Sequence, residues 1–198
     1  MNNFFNLIGY NLKQKKGLFL LILLLTIITI VLAIFAGINF GEGIFTVDLS
    51  NICYIQFLKG DCGWFGLIFG LVFSLLIFAL LITVFSCKPF LFPIAILFYL
   101  YLVYSQTLVI VSLIVIYGIF NCVILILLLI LYNIILVSLF LLMVLDLHNH
   151  CRNANYYANC FNTNISIVPV CLLFVLILCF IFSLILFILK SFVLLLVF

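Results

Sequence analysis

Phe90 to Leu145 reads FLFPIAILFYLYLVYSQTLVIVSLIVIYGIFNCVILILLLILYNIILVSLFLLMVL, 56 residues without one Lys, Arg, Asp or Glu. A helix needs about 20 consecutive apolar residues to cross a bilayer core of roughly 30 Å, so this block is long enough to cross twice. Two readings fit. Two long helices can turn near Tyr117-Gly118 and Asn121-Cys122, or three pieces can break at Ser105-Gln106-Thr107 and at Tyr132-Asn133. The second reading leaves Phe90–Tyr104 and Ile134–Leu145 as half-helices, which survive in lipid only where other protein satisfies the freed backbone groups. We take two spans and keep three pieces as the alternative.

Gly17–Ile38, Trp64–Ser86 and Ile167–Leu189 are further apolar runs of span length on either side of the block. The expected fold is therefore all-α, a polytopic transmembrane helical bundle of five spans, or six in the alternative. Composition agrees: 71% of the 198 residues are hydrophobic and 6% charged, against roughly 45–50% and 25% in an average soluble domain. Too little polar surface exists to cover a globule in water. A soluble enzyme, a nucleic-acid binder and a disordered tail are excluded.

Three of the seven cations, Lys13, Lys15 and Lys16, precede the first apolar run, where they read as a topology signal. They could also mark a cleaved signal peptide, with Ala33 and Ala36 near the cut, but the run exceeds a usual signal core and a retained anchor is expected. Residues 1–16 then form a basic cytoplasmic stub and 17–198 a single transmembrane domain, with an outer loop at 39–63 and a polar loop at 146–166. Against the three cations the outer loop holds Lys59 alone, so the N-terminus is expected inside, and Lys88 agrees. Five spans put Arg152 inside and Lys190 outside; six reverse both. The charge rule leaves the parity open.

Small residues recur at four-residue intervals. Thr29, Ala33, Gly37 and Gly41 line one face of span one, and Gly66, Gly70 and Ser74 line one face of span two. Small side chains let helix backbones approach closely, so spans one and two are expected to cross tightly near the outer surface. Between them, Leu49–Lys59 is apolar enough for a short interfacial helix, with Asp48 to cap its start and Gly60 its end. It could lie on the outer leaflet or offer Tyr54 and Phe57 to a partner. Covering the bundle is the plainer role.

Of eight cysteines, Cys171 and Cys179 lie in the last span and read as small hydrophobes, while Cys87 and Cys122 sit at turns. Cys53 and Cys62 share the outer loop, where an oxidising compartment would permit a disulfide. His148, His150, Cys151 and Cys160 supply four zinc-type ligands within 13 residues, yet they lack the paired spacing of structural zinc sites. Solvated loop residues are the preferred reading, and neither a metal nor a cofactor is expected. No carboxylate pair, Ser-His-Asp set or glycine-rich phosphate loop is present, and Asp146, His148 and His150 are the sole clustered ionisable groups. We expect no enzyme. Gln106, Asn121 and Asn133 could line a polar path of the kind transporters build at mid-membrane, although hydrogen bonds between helices are their plainer use.

The order of features is similar to one known family. The basic stub leads to a span ending Ala33-Ile34-Phe35-Ala36-Gly37, followed by Tyr54-Ile55-Gln56-Phe57-Leu58-Lys59-Gly60-Asp61, a glycine-bearing second span, Tyr117-Gly118 and Leu131-Tyr132-Asn133. To about Leu145 this resembles the stage II sporulation protein M family, small polytopic proteins of spore-forming and related bacteria. Leu131 stands where that family commonly has a proline, so the resemblance does not carry a helix break to Tyr132-Asn133. It implies a non-enzymatic component working with cell-wall hydrolases during engulfment, and it implies no catalytic residues. The expectation is a scaffold or assembly component in a bacterial cell membrane. Its partners are the bilayer, other membrane or envelope proteins and, in one version, further copies of itself; nucleic acid is not among them. The alternative is a subunit of a transporter or permease.

Overall fold

A computed structural model describes residues 9, 13, 15–39, 52–150, 155 and 166–197. Its helices are α1 (Lys16–Asn39), α2 (Cys53–Lys59), α3 (Trp64–Phe85), α4 (Phe92–Tyr117), α5 (Ile119–His150) and α6 (Val168–Val197). All but α2 are long and apolar enough to cross a membrane, so this is a multi-pass membrane protein with an all-α bundle. Helices form throughout because hydrocarbon offers no partner to an open backbone N–H or C=O.

The central block makes two spans. α4 runs unbroken through Ser105-Gln106-Thr107 and α5 through Tyr132-Asn133. The chain reverses at Gly118, whose φ of 78° is open to glycine and costly to other residues. A proline in the first turn of α4 fits there because the first N–H groups of a helix have no partner within it. The hydroxyls of the spans turn back on their own helices: Thr29, Thr83, Thr107 and Ser138 each donate to the carbonyl four residues earlier, at 2.7–2.8 Å.

α3, α4, α5 and α6 close into a four-helix bundle, with α4 and α5 paired as a hairpin and α3 bridging α4 and α6. α1 lies outside it, against α4, with only a narrow contact to α5. Thr26 and Tyr99, 3.1 Å apart through their hydroxyls, tie α1 to α4. We call the side carrying Lys16 the near face and the side carrying Gly118 the far face.

The tight crossing expected between spans one and two is not made. Both small-residue stripes are used, but with other neighbours. A Cβ on Gly37 would come 2.5 Å from Val111 Cγ1, so this glycine lets α1 close on α4. Gly66 and Gly70 lie beneath Cys62 and Cys53 of the returning loop. Ala33 is fully buried and Ser74 lies beside α2, while Gly41 falls outside the described residues. Small residues fix where something must approach closely; the shape of the rest decides what approaches.

Candidate functional site

Two amides stand at mid-depth on the α4–α5 hairpin. Gln106 precedes Tyr117 by 11 residues and Asn133 follows Ile119 by 14, about 17 and 21 Å from the far end at 1.5 Å per residue. They line one cavity of about 610 Å³. Its walls are apolar: Ile34 and Ile38 of α1, Ile110 and Ile114 of α4, Ile130 and Ile134 of α5. Ile38, Ile134 and Ile34 are also largely exposed on the bundle's flank, so the cavity is a lateral groove open to lipid between α1 and α5. Its size falls within the roughly 300–1,000 Å³ of small-molecule sites.

Hydrogen bonds between helices would explain both amides, and neither makes one among the described residues. Thr107 and Ser138, which share the groove, are satisfied by their own helix carbonyls. Asn133 Oδ1 is enclosed with no partner among the described residues. The side chain of Asn121, the third amide of the expected path, lies outside the described residues.

α2 brings the second half of the site. It does not lie on the membrane surface; it dips into the bundle. Cys53 rests against Gly70, six residues along α3 from Trp64 and so about 9 Å below its far end. Tyr54 meets Phe182 edge-on at 6.2 Å between centroids, and Phe182 stacks on Tyr132 at 4.3 Å. Nearer the rim Phe57 packs on Phe187, with Lys190 Nζ 4.6 Å from the Phe57 ring centre. Gly60 ends the helix in a left-handed conformation, its N–H on the Phe57 carbonyl, as its position in the sequence suggested. Asp48, the expected cap, falls outside the described residues.

Tyr54 and Phe57 therefore face inward, at 5% and 3% exposure. As candidates for an exposed partner surface they are corrected. A seven-residue apolar helix finds more contact area between α3 and α6 than on the leaflet surface. Beneath α2 lies a second cavity of about 350 Å³, bounded by Cys53, Tyr54, Gly70, Ser74, Ser105 and Gln106, among others. Gln106 borders both cavities. The Tyr54 hydroxyl is enclosed and without a partner among the described residues.

Cys53 and Cys62 are free thiols one helical turn apart along the glycine face of α3, and burial pushes the Cys53 thiol up. Cys171 and Cys179 are buried as small apolar residues.

At the near face a different polar set closes on itself. Ser166 Oγ and the Ile167 N–H both donate to Asp146 Oδ2, at 2.5 and 2.9 Å. The Val168 N–H reaches Ser166 Oγ at 3.2 Å, and His150 Nδ1 donates to the Asp146 carbonyl at 2.9 Å. Asp146 and Ser166 thus cap α6, whose first N–H groups would otherwise be orphaned. The sequence signal was a Ser just before an apolar run, a capping type at a helix start, which the sequence reading did not use. His148 packs on Phe92 at 4.6 Å. No group of three metal ligands forms among the described residues, and Cys151 and Cys160 lie outside them.

No protein-family model, no curated protein and no solved structure matches this chain.

Proposed function

We propose that this protein is a non-enzymatic membrane subunit that holds a hydrophobic, membrane-dissolved molecule in the groove between α1, α4 and α5, within a transport or lipid-handling assembly. One observation carries the reading. Gln106 and Asn133 line a single groove from two helices, and neither has a hydrogen-bond partner among the described residues. Asn133 Oδ1 is enclosed; an enclosed amide left unpaired costs about 1–3 kcal/mol, and a Leu there would avoid that cost in a purely structural helix. Polar side chains inside a membrane usually mark a pathway or a site. The expected scaffold had Tyr54 and Phe57 as its candidate partner contacts, and both are buried, so this reading follows the transporter-subunit alternative instead.

With Lys13, Lys15 and Lys16 cytoplasmic in this reading, the groove opens into the outer leaflet of a bacterial cell membrane. The test is photolabelling of the purified chain in phosphatidylcholine nanodiscs with a long-chain alkyl diazirine. Adducts should map to Ile110–Val115 and Ile130–Val137, and Ile134→Trp should reduce them several-fold. Labelling spread evenly over all lipid-facing helices, and indifferent to Ile134→Trp, would refute the groove.

A further inference from the structure

The two cavities belong together through Gln106, and that junction constrains the chemistry of the occupant. We infer that the molecule held is an uncharged lipid with a hydroxyl headgroup, of the diacylglycerol or long-chain alcohol class, its tail in the lateral groove and its head beneath α2. This inference rests on the groove reading above.

Three features point to it. Among the described residues that border either cavity there is no Lys, Arg, His, Asp or Glu. A phosphate or carboxylate head would enter a low-dielectric site without a counter-charge, which is far more costly than burying a paired neutral group. Lys190 lies over the Phe57 ring towards the rim, and it is not among the residues that border either cavity. Secondly, the head cavity is the polar end of the site. Ser74 and Ser105 donate to the carbonyls of Leu71 and Leu102, at 3.0 and 2.9 Å, which leaves their oxygens free to accept. Thirdly, Tyr54 is 5% exposed and its hydroxyl has no partner among the described residues. A hydroxyl head both donates and accepts, and so answers the Tyr54 hydroxyl and the Gln106 amide together. A bare hydrocarbon would leave both unpaired.

The experiment uses the full chain in phosphatidylcholine nanodiscs and three probes with one diazirine tail: a diacylglycerol, the matching phosphatidic acid and the matching alkane. The diacylglycerol should label α4 and α5 several-fold more than the phosphatidic acid. Tyr54→Phe should lower diacylglycerol labelling about fivefold, the worth of one hydrogen bond, and leave alkane labelling unchanged. Because the lost hydroxyl has no partner among the described residues, Tyr54→Phe should also raise the unfolding temperature in lipid-free detergent, where a merely structural tyrosine would lower it. Ser105→Ala is the second variant, expected to weaken the same preference with the fold intact. Equal or stronger labelling by phosphatidic acid, or a preference unmoved by Tyr54→Phe and Ser105→Ala, overturns the headgroup assignment. Loss of alkane labelling from the groove overturns the groove itself, so the two failures are distinct.

Discussion

The near-face end of α5 and its middle are both polar interruptions in an apolar helix, and they are built on opposite terms. At the near face, Asp146, Ser166, the Ile167 N–H and His150 satisfy one another within two helix ends. At mid-depth, Asn133 and Gln106 line one groove, and neither amide is answered among the described residues. The first set is buried and saturated, which is how polar groups serve a fold. In the second, Asn133 Oδ1 is enclosed and unanswered among the described residues, which is how polar groups serve a ligand. The contrast makes opposite predictions for the same kind of substitution.

The largest effect is expected at Asp146. Replacing it with Ala leaves the Ser166 hydroxyl and the Ile167 N–H buried without an acceptor and uncaps α6. The loss should be about 3 kcal/mol, read as an earlier midpoint in SDS-driven unfolding from mixed micelles. Asp146→Asn keeps an acceptor oxygen and should lose less than half as much. An Ala variant as stable as the parent would dissolve the contrast, because the near-face set would then be no clamp.

Next in size is the seam that opens or closes the groove. Gly37→Val puts a Cβ where only 2.5 Å separates it from Val111 Cγ1, and overpacking of this kind costs about 2 kcal/mol. α1 should lift from α4, and Val111→Ala should restore much of the loss in a double-mutant cycle. Additive effects would mean that α1 rests elsewhere.

How much of this was legible follows from the same residues. The five crossings and the turn at Gly118 were readable because apolar length and a glycine state their own requirement. The partner of Gly37 was not, since a small residue reports close approach and not which helix approaches. Nor was the dip of α2, because the apolar density of Cys53–Lys59 is the same on a leaflet as in a gap. Gln106 and Asn133 stood out in the sequence as amides in hydrocarbon. That they share a groove without bonding depends on the space between α1 and α5, which no local pattern encodes.

The smallest effect has the opposite sign, and it bears most directly on function. Gln106→Leu and Asn133→Leu each remove an amide without a hydrogen-bond partner among the described residues, and each adds apolar surface to the groove. In the same SDS titration each should stabilise by about 1 kcal/mol, while Asp146→Ala destabilises. Stabilisation accompanied by weaker retention of a hydroxyl-bearing lipid would mark the amides as placed for a ligand at the fold's expense, the usual trade between stability and activity. Destabilisation by either Leu variant would show that the amide has a partner in the working protein, and the middle of α5 would then join its near-face end as part of the scaffold.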